Sequence, residues 1–316
     1  MGGPYPHRMR RGSAVVRRFL LLVLPVLVLP AGPVAGAAPA AAGGRDAPVA
    51  PAAVPQRIVS LAPSITECLF AIGAGDEVVG VTRWCRRPPA ARSRTIVGGI
   101  LDPDYERILA LQPDLIVVET AHAEARDKLA ALGLTVLAVE HRTLEGMLAS
   151  LTRLGEVCGT AARADSLRRA LERRIAAVAA DSGGVRPPVL VVVGVEDATG
   201  RITSVFAASA GTFLGELVEL AGGRNVLPGQ AVRYPTLGVE GLLAAGPAVV
   251  LDLAPDCADD PGRLARRRRA WAELTDLPAV RDGHVVVVTD PDAAVPGPHV
   301  VDILELFAHA IGAARH

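Results

Sequence analysis

Histidines, cysteines and a sparse set of aromatic residues are the side chains with which this chain could do chemistry. Of seven histidines, His7 stands in a basic, apolar leader and His316 ends the chain. His122 and His141 each directly follow a stretch that reads as a strand, where α/β folds bind ligands. With Glu119 and Asp290 they are candidates for direct capture of Zn²⁺, Mn²⁺ or iron, His122 and Glu119 first. His284, His299 and His309 are scattered, and no two histidines have the close helical spacing of a metal pair. Cys68, Cys85, Cys158 and Cys257 fit no zinc spacing, and no pairing among them is assigned. Cys68 lies in an apolar helical stretch and reads as a small buried hydrophobe. The chain lacks a G-x-S-x-G elbow, an H-E-x-x-H helix, a P-loop and a post-strand G-x-G-x-x-G. No catalytic residue or cofactor is therefore assigned, and the chain is read as a non-enzyme.

The elements that must position these residues begin after an export leader. Arg8, Arg10, Arg11, Arg17 and Arg18 precede an apolar run from Phe19 to Ala31, too short to span a bilayer and interrupted by Pro25 and Pro30. Ala35-Gly-Ala37 offers a cleavage site, so residues 1–37 are expected to be a signal peptide and the protein periplasmic. Residues 38–55, rich in Ala, Pro and Gly, are expected to be a disordered linker. The 33 basic and 33 acidic residues cancel, and loss of the five leader arginines leaves an excess of five acids. That balance argues against nucleic acid as a partner. The run Arg266 to Arg269 reads as a solvated helix face.

Strand and helix signals then alternate. Strands are expected over Arg57–Leu61, Val78–Val81, Asp114–Val118 and Thr135–Val139, and helices over Ser64–Ile72, Pro103–Leu111 and 123–132. Ser64 and Glu67 have the spacing of a capping box. From Thr143 to about Asp181 only helical periodicity remains, broken near Gly159, where Thr160 can cap a second segment. Leu167, Leu171, Ile175 and Val178 form one apolar stripe on a rod about 30 Å long. Beyond Pro187-Pro188 the alternation resumes with strands at Val189–Val195, Ala248–Leu253 and His284–Thr289, and helices at 212–221, 238–244, 262–274 and 299–313. The halves repeat: Glu106 to Pro113 and Glu240 to Pro247 both read E-x-x-L-A-x-x-P before a valine-rich run. The expected fold is α/β, with two Rossmann-like lobes of mostly parallel sheet joined by one long rigid α-helix. The N-terminal lobe spans 56–158, the interlobe helix 159–182 and the C-terminal lobe 183–316.

The stretch Arg57 to Glu67, reading R-I-V-S-L-A-P-S-I-T-E, resembles the opening of the vitamin B12/ferric-siderophore periplasmic-binding family. Leu69 to Gly73, Val79 to Thr82, Trp84 ahead of Arg86-Arg-Pro-Pro89, Val97-Gly-Gly99, Pro103 to Ile108 and Leu111 to Leu115 continue the likeness, which covers about 56–313. It implies a class III periplasmic-binding fold and a monomer. Such a protein holds a chelated metal between its lobes and presents it to an ABC permease dimer. Trp84, Phe206 and Tyr234 match the family's cleft aromatics, and flat rings suit a broad corrin or catecholate face. Ser64 at a helix start and the Gly98-Gly99 loop would offer amides to a polar ligand group. Glu106 and Glu219 match the glutamates that the family presents to permease arginines. Ile100 and Glu119 stand where B12-binding members carry tryptophans, and Asp290 and Asp292 stand in a late loop without the family's aromatic and basic residues. The implied ligand is cobalamin or another corrinoid ahead of a ferric siderophore, with haem or a directly bound metal as the alternative. An enzyme or cluster-processing protein on the same architecture is the alternative of another class.

Overall fold

Runs of valine, isoleucine and leucine build two sheets whose alternate residues face opposite sides. In this computed structural model residues 53–315 are described, apart from Gly183, Thr199, Gln230 and Ala231. The expected signal peptide, its cleavage site and the linker as far as Ala52 lie outside the described residues. The first sheet contains β1 (Ile58–Ser60), β2 (Val78–Val81), β3 (Thr95–Ile96), β4 (Leu115–Glu119) and β5 (Val136–Val139). Its order is β3-β2-β1-β4-β5 and every pairing is parallel. Between its strands lie α1 (Pro63–Ala71), α2 (Tyr105–Ala110) and α3 (Ala123–Ala131), followed by α4 (Leu144–Val157) and α5 (Ala161–Asp181).

The second sheet contains β6 (Pro188–Ala198), β7 (Arg201–Ala208), β8 (Arg224–Asn225), β9 (Thr236–Gly238), β10 (Val249–Leu253) and β11 (Val285–Val288). Its order is β11-β10-β6-β7-β9, with β8 also on β6. The helices are α6 (Phe213–Leu220), α7 (Val239–Ala245), α8 (Pro261–Ala272), α9 (Pro278–Arg281) and α10 (Val300–Ala313). One departure from strict alternation is β7, antiparallel to both β6 and β9.

The two-residue period of a strand decides which core each side chain joins. Val59, Ile116 and Val118 pack in a cluster private to the first sheet, with Ile108 of α2 and Leu129 of α3. Leu190, Val192 and Val250 do the same for the second sheet, with Trp271 of α8. Their neighbours Ile58, Leu115, Val117, Val189, Val191, Val249 and Leu251 enter one continuous core running through both lobes by way of α1, α4, α5, α6 and α10. Burial of this shared apolar surface is what holds the two halves as one body.

Polar side chains cap α2, α4, α6 and α8. Asp104, Thr143, Thr212 and Asp260 each accept a hydrogen bond from an amide three residues on. The capping box expected at α1 is absent. Pro63 occupies the first turn, the N-cap is Ala62, and no side chain caps it. A proline at that position needs no amide partner and already has helical φ. Ser64 and Glu67 are thereby freed for other contacts. Thr160 holds the N-cap position of α5 without a side-chain cap bond.

At 21 residues, α5 is about 31 Å long. It packs on α4 of the first lobe and on α6 and α10 of the second. The α4–α5 corner is tight, since a β-carbon on Gly155 would collide with that of Ala164. Arg174 on α5 ties to Asp302 and Glu305 on α10 at 2.7–2.9 Å.

Candidate functional site: the cleft between the lobes

Parallel pairing brings the carboxyl ends of β1, β4 and β5 to one edge of the first sheet, with Glu119 directly beside Val139. The residues just past each strand are therefore gathered there: Ser64 after β1, Glu119 at the end of β4, His141 and Arg142 after β5. The second lobe brings Phe213 at the start of α6, Arg233 and Tyr234 ahead of β9, and Ala294 to Pro296 from the loop between β11 and α10. With Pro63 these residues enclose an open cavity of about 320 Å³ between the sheets.

The floor of this cavity is polar. Ser64 Oγ donates to Glu119 Oε1 at 3.1 Å. Burial raises the Glu119 carboxyl above its ordinary range, and the Ser64 hydrogen bond and the charge of His122 partly offset it. His141 is 2% exposed. Its Nε2 lies 2.7 Å from Ser150 Oγ on α4, while its Nδ1 has no hydrogen-bond partner among the described residues. Burial pushes the imidazole down to about 4, with Glu140 opposing, so the ring is neutral at neutral pH. Arg142 is held by the Glu140 carboxylate at 2.8–3.1 Å. Arg233 reaches across the cleft, its Nη2 donating to the Arg142 carbonyl at 3.2 Å. Burial raises the Tyr234 phenol, partly offset by Arg233, so it stays neutral.

Beside the cavity the lobes are clamped. Glu67 on α1 accepts from the His299 amide at 2.7 Å and meets His299 Nδ1 at 2.6 Å. His299 Nε2 lies 2.8 Å from the Asp292 carbonyl. From the first-lobe loop, Arg87 donates to both oxygens of Asp290 and to Asp292 at 3.2–3.4 Å.

The structure thus brings Ser64, Glu119 and Tyr234 together on one cavity. Trp84, Phe206, Gly98, Gly99, His122 and Asp290 do not line it. Trp84 is exposed on the loop after β2, and Phe206 is exposed on β7 opposite Gly194. The expectation of open glycine amides is corrected at Gly99, whose N–H donates to the Asp102 carbonyl at 3.2 Å. Gly98 takes φ +92°, and a β-carbon there would strike the Asp102 carbonyl. Asp290 serves the Arg87 clamp and the Asp292 amide. Among the described residues no group of three His, Cys, Asp or Glu side chains could hold a metal ion, so Glu119 and His122 lack a third ligand of that kind. The four cysteines are buried and free. Glu106 is exposed in the first turn of α2. Glu219, in the last turn of α6, pairs with Arg186 at 2.8 Å and borders a separate groove of about 1050 Å³ between α4, α5 and α6.

Three residues of the wall escape sequence reading, Arg142, Phe213 and Arg233, while the Ala294–Pro296 segment belongs to the late loop that carries Asp290 and Asp292. Arg142 follows His141 after a strand and could have been found by the rule that singled out His141. Arg233 lies in a stretch between elements that carries no periodic signal.

A family model described as periplasmic binding protein matches residues 58–292. A cobalamin-binding protein of Halobacterium salinarum is 27% identical over 273 residues, covering 81% of this chain and 69% of the relative. A solved periplasmic vitamin B12 binding protein of Vibrio cholerae superimposes with a TM-score of 0.69 at 23% identity, over 83% of this chain and 98% of its own. A periplasmic heme binding protein of Pseudomonas aeruginosa gives a TM-score of 0.66 at 27% identity, over 81% and 92%.

Proposed function

The chain belongs to the periplasmic binding protein family, and from that premise we propose that it is the substrate-binding component of an ABC importer for a chelated metal. A corrinoid of the cobalamin class is favoured over a ferric siderophore. The observation that carries this reading is the cavity at the facing edges of two α/β lobes, with Tyr234 and Phe213 on one side and Ser64, Glu119 and His141 on the other. A cavity of 320 Å³ is at the lower end for small-molecule sites. It therefore takes the edge and side chains of a macrocycle, with the flat face extending toward solvent. The names of the curated relatives support a corrinoid. Haem is the second reading, because Arg142 and Arg233 at the cleft would suit its carboxylates.

The protein does no chemistry of its own in this reading. It is exported by its leader, works as a periplasmic monomer and presents ligand to a permease dimer through Glu106 and Glu219. Among the described residues no helix is long and apolar enough to cross a membrane. Exposed Trp84 and Phe206 close over the outer part of the ligand, and Ser64 contacts it at the floor. The Gly98-Gly99 loop and Asp290 shape the rim.

A thermal-shift screen with cyanocobalamin, cobinamide, ferric hydroxamates, ferric catecholates and haem tests this. A ligand at 100 times its dissociation constant adds about 2.7 kcal/mol of apparent stability. The expected result is a shift with a corrinoid. A chain that responds to none of the five is not a chelate receptor.

A further inference from the structure

Proton accounting at the cleft floor fixes what the floor can offer. Ser150 Oγ has one proton and gives it to the Met147 carbonyl at 2.7 Å. The same oxygen lies 2.7 Å from His141 Nε2, so it must accept there and the ring carries its proton on Nε2. His141 Nδ1 is left as a bare lone pair, out of solvent and with no hydrogen-bond partner among the described residues, on a side chain that lines the cavity. A buried acceptor left unpaired is costly, and that cost disappears when a ligand supplies the donor. Beside it, Glu119 spends Oε1 on the Ser64 hydroxyl, and its Oε2 has no hydrogen bond among the described residues. The two side chains that line this part of the cavity therefore each carry an unpaired acceptor and no spare donor. The two cations of the same cavity, Arg142 and Arg233, are already engaged. Arg142 is occupied by Glu140, and Arg233 approaches from the second lobe onto the Arg142 carbonyl.

We infer that Glu119 and His141 select the ligand by its N–H donors, so that the floor takes the primary amides at the edge of a macrocyclic chelate and rejects carboxylates at the same positions. The inference rests on the receptor reading and narrows it. A carboxylate brought to this floor would face the Glu119 carboxylate and a lone pair, and like charges in a partly desolvated site repel strongly. An amide donates to both. Phenylalanine at position 141 would keep the ring volume while removing the acceptor, and Glu119→Gln keeps the shape while removing the charge.

The test is a calorimetric titration of the full mature protein with cobinamide, whose rim carries primary amides, and with cobyrinic acid, whose rim carries carboxylates. Wild-type protein is expected to prefer cobinamide by about tenfold or more, the scale of one charged hydrogen bond. Glu119→Gln and His141→Phe are each expected to narrow that ratio about fivefold or more. Melting curves identify variants that remain folded, and Glu119→Gln is isosteric should His141→Phe fail to fold. Equal binding of the two corrinoids, preference for the acid, or an unchanged ratio in folded Glu119→Gln overturns the inference. Binding of haem or a ferric siderophore with neither corrinoid overturns it too while leaving the receptor reading standing. Silence from all of these ligands removes both.

Discussion

Glu67 and His299 form a buried hydrogen-bonded pair, an ion pair when the imidazole is protonated, between residues 232 positions apart, one in each lobe. Burial alone would depress the imidazole. The hydrogen bond and charge of Glu67, with the Asp292 carbonyl, outweigh burial and the nearby Arg87 cation and raise it above its ordinary value. A raised histidine contributes its full stability below about pH 6.5, its unfolded value, and loses it as pH rises through the folded value. His141 has the opposite sign. Held neutral down to about pH 4, it costs stability as pH falls from about 6.5 toward 4. Urea unfolding across a pH series should therefore show stability falling on both limbs. Glu67→Gln, which leaves a buried half of the pair, should cost about 3 kcal/mol near neutral pH and flatten the alkaline limb. An alkaline limb identical in Glu67→Gln and wild type would show that His299 does not titrate this way. None of this was legible locally. The spacing of Ser64 and Glu67 fits a capping box, and only Pro63 in the first turn, with a partner far along the chain, diverts both side chains elsewhere.

Among the elements, the α4–α5 corner is where the first lobe meets the rod. Its close approach depends on a missing side chain at Gly155 against Ala164. Gly155→Val is expected to push the helices apart and cost about 1–3 kcal/mol, read as a lower urea midpoint with an unchanged slope. A midpoint equal to wild type would mean that the corner relaxes freely. Helices and parallel strands were readable because their apolar periods are long, whereas the caps expected at Ser64 and Thr160 make no side-chain cap bond. β7 was not readable. Arg201 to Ala208 is rich in small residues, and its pairing is made by the turn at Gly200, φ +84°, that returns the chain along β6. Missing that hairpin hid the exposed strand position of Phe206 and the proximity of Arg233, whose carbonyl accepts from Ser209 just beyond β7.

At the scale of the whole molecule, two sheets share one core, and α5 packs against helices of both. The repeat of E-x-x-L-A-x-x-P in the sequence anticipated two similar halves, and the periodicity of 161–181 anticipated the rod. The composition of the cavity wall could not be read the same way, because Arg142, Phe213 and Arg233 meet only when the lobes are packed together. With a continuous core and the Glu67–His299 and Arg87–Asp290 contacts spanning the lobes, ligand entry is expected with small lobe movements rather than wide closure. The most direct measurement is a crystal structure of the protein grown with cyanocobalamin. One corrinoid is expected between the lobes, with an edge within hydrogen-bonding reach of Ser64 or Glu119 and in contact with Tyr234. A corrinoid seated on the outer groove beside Glu219, or a cleft that stays closed to it while the ligand binds elsewhere, would contradict the receptor reading.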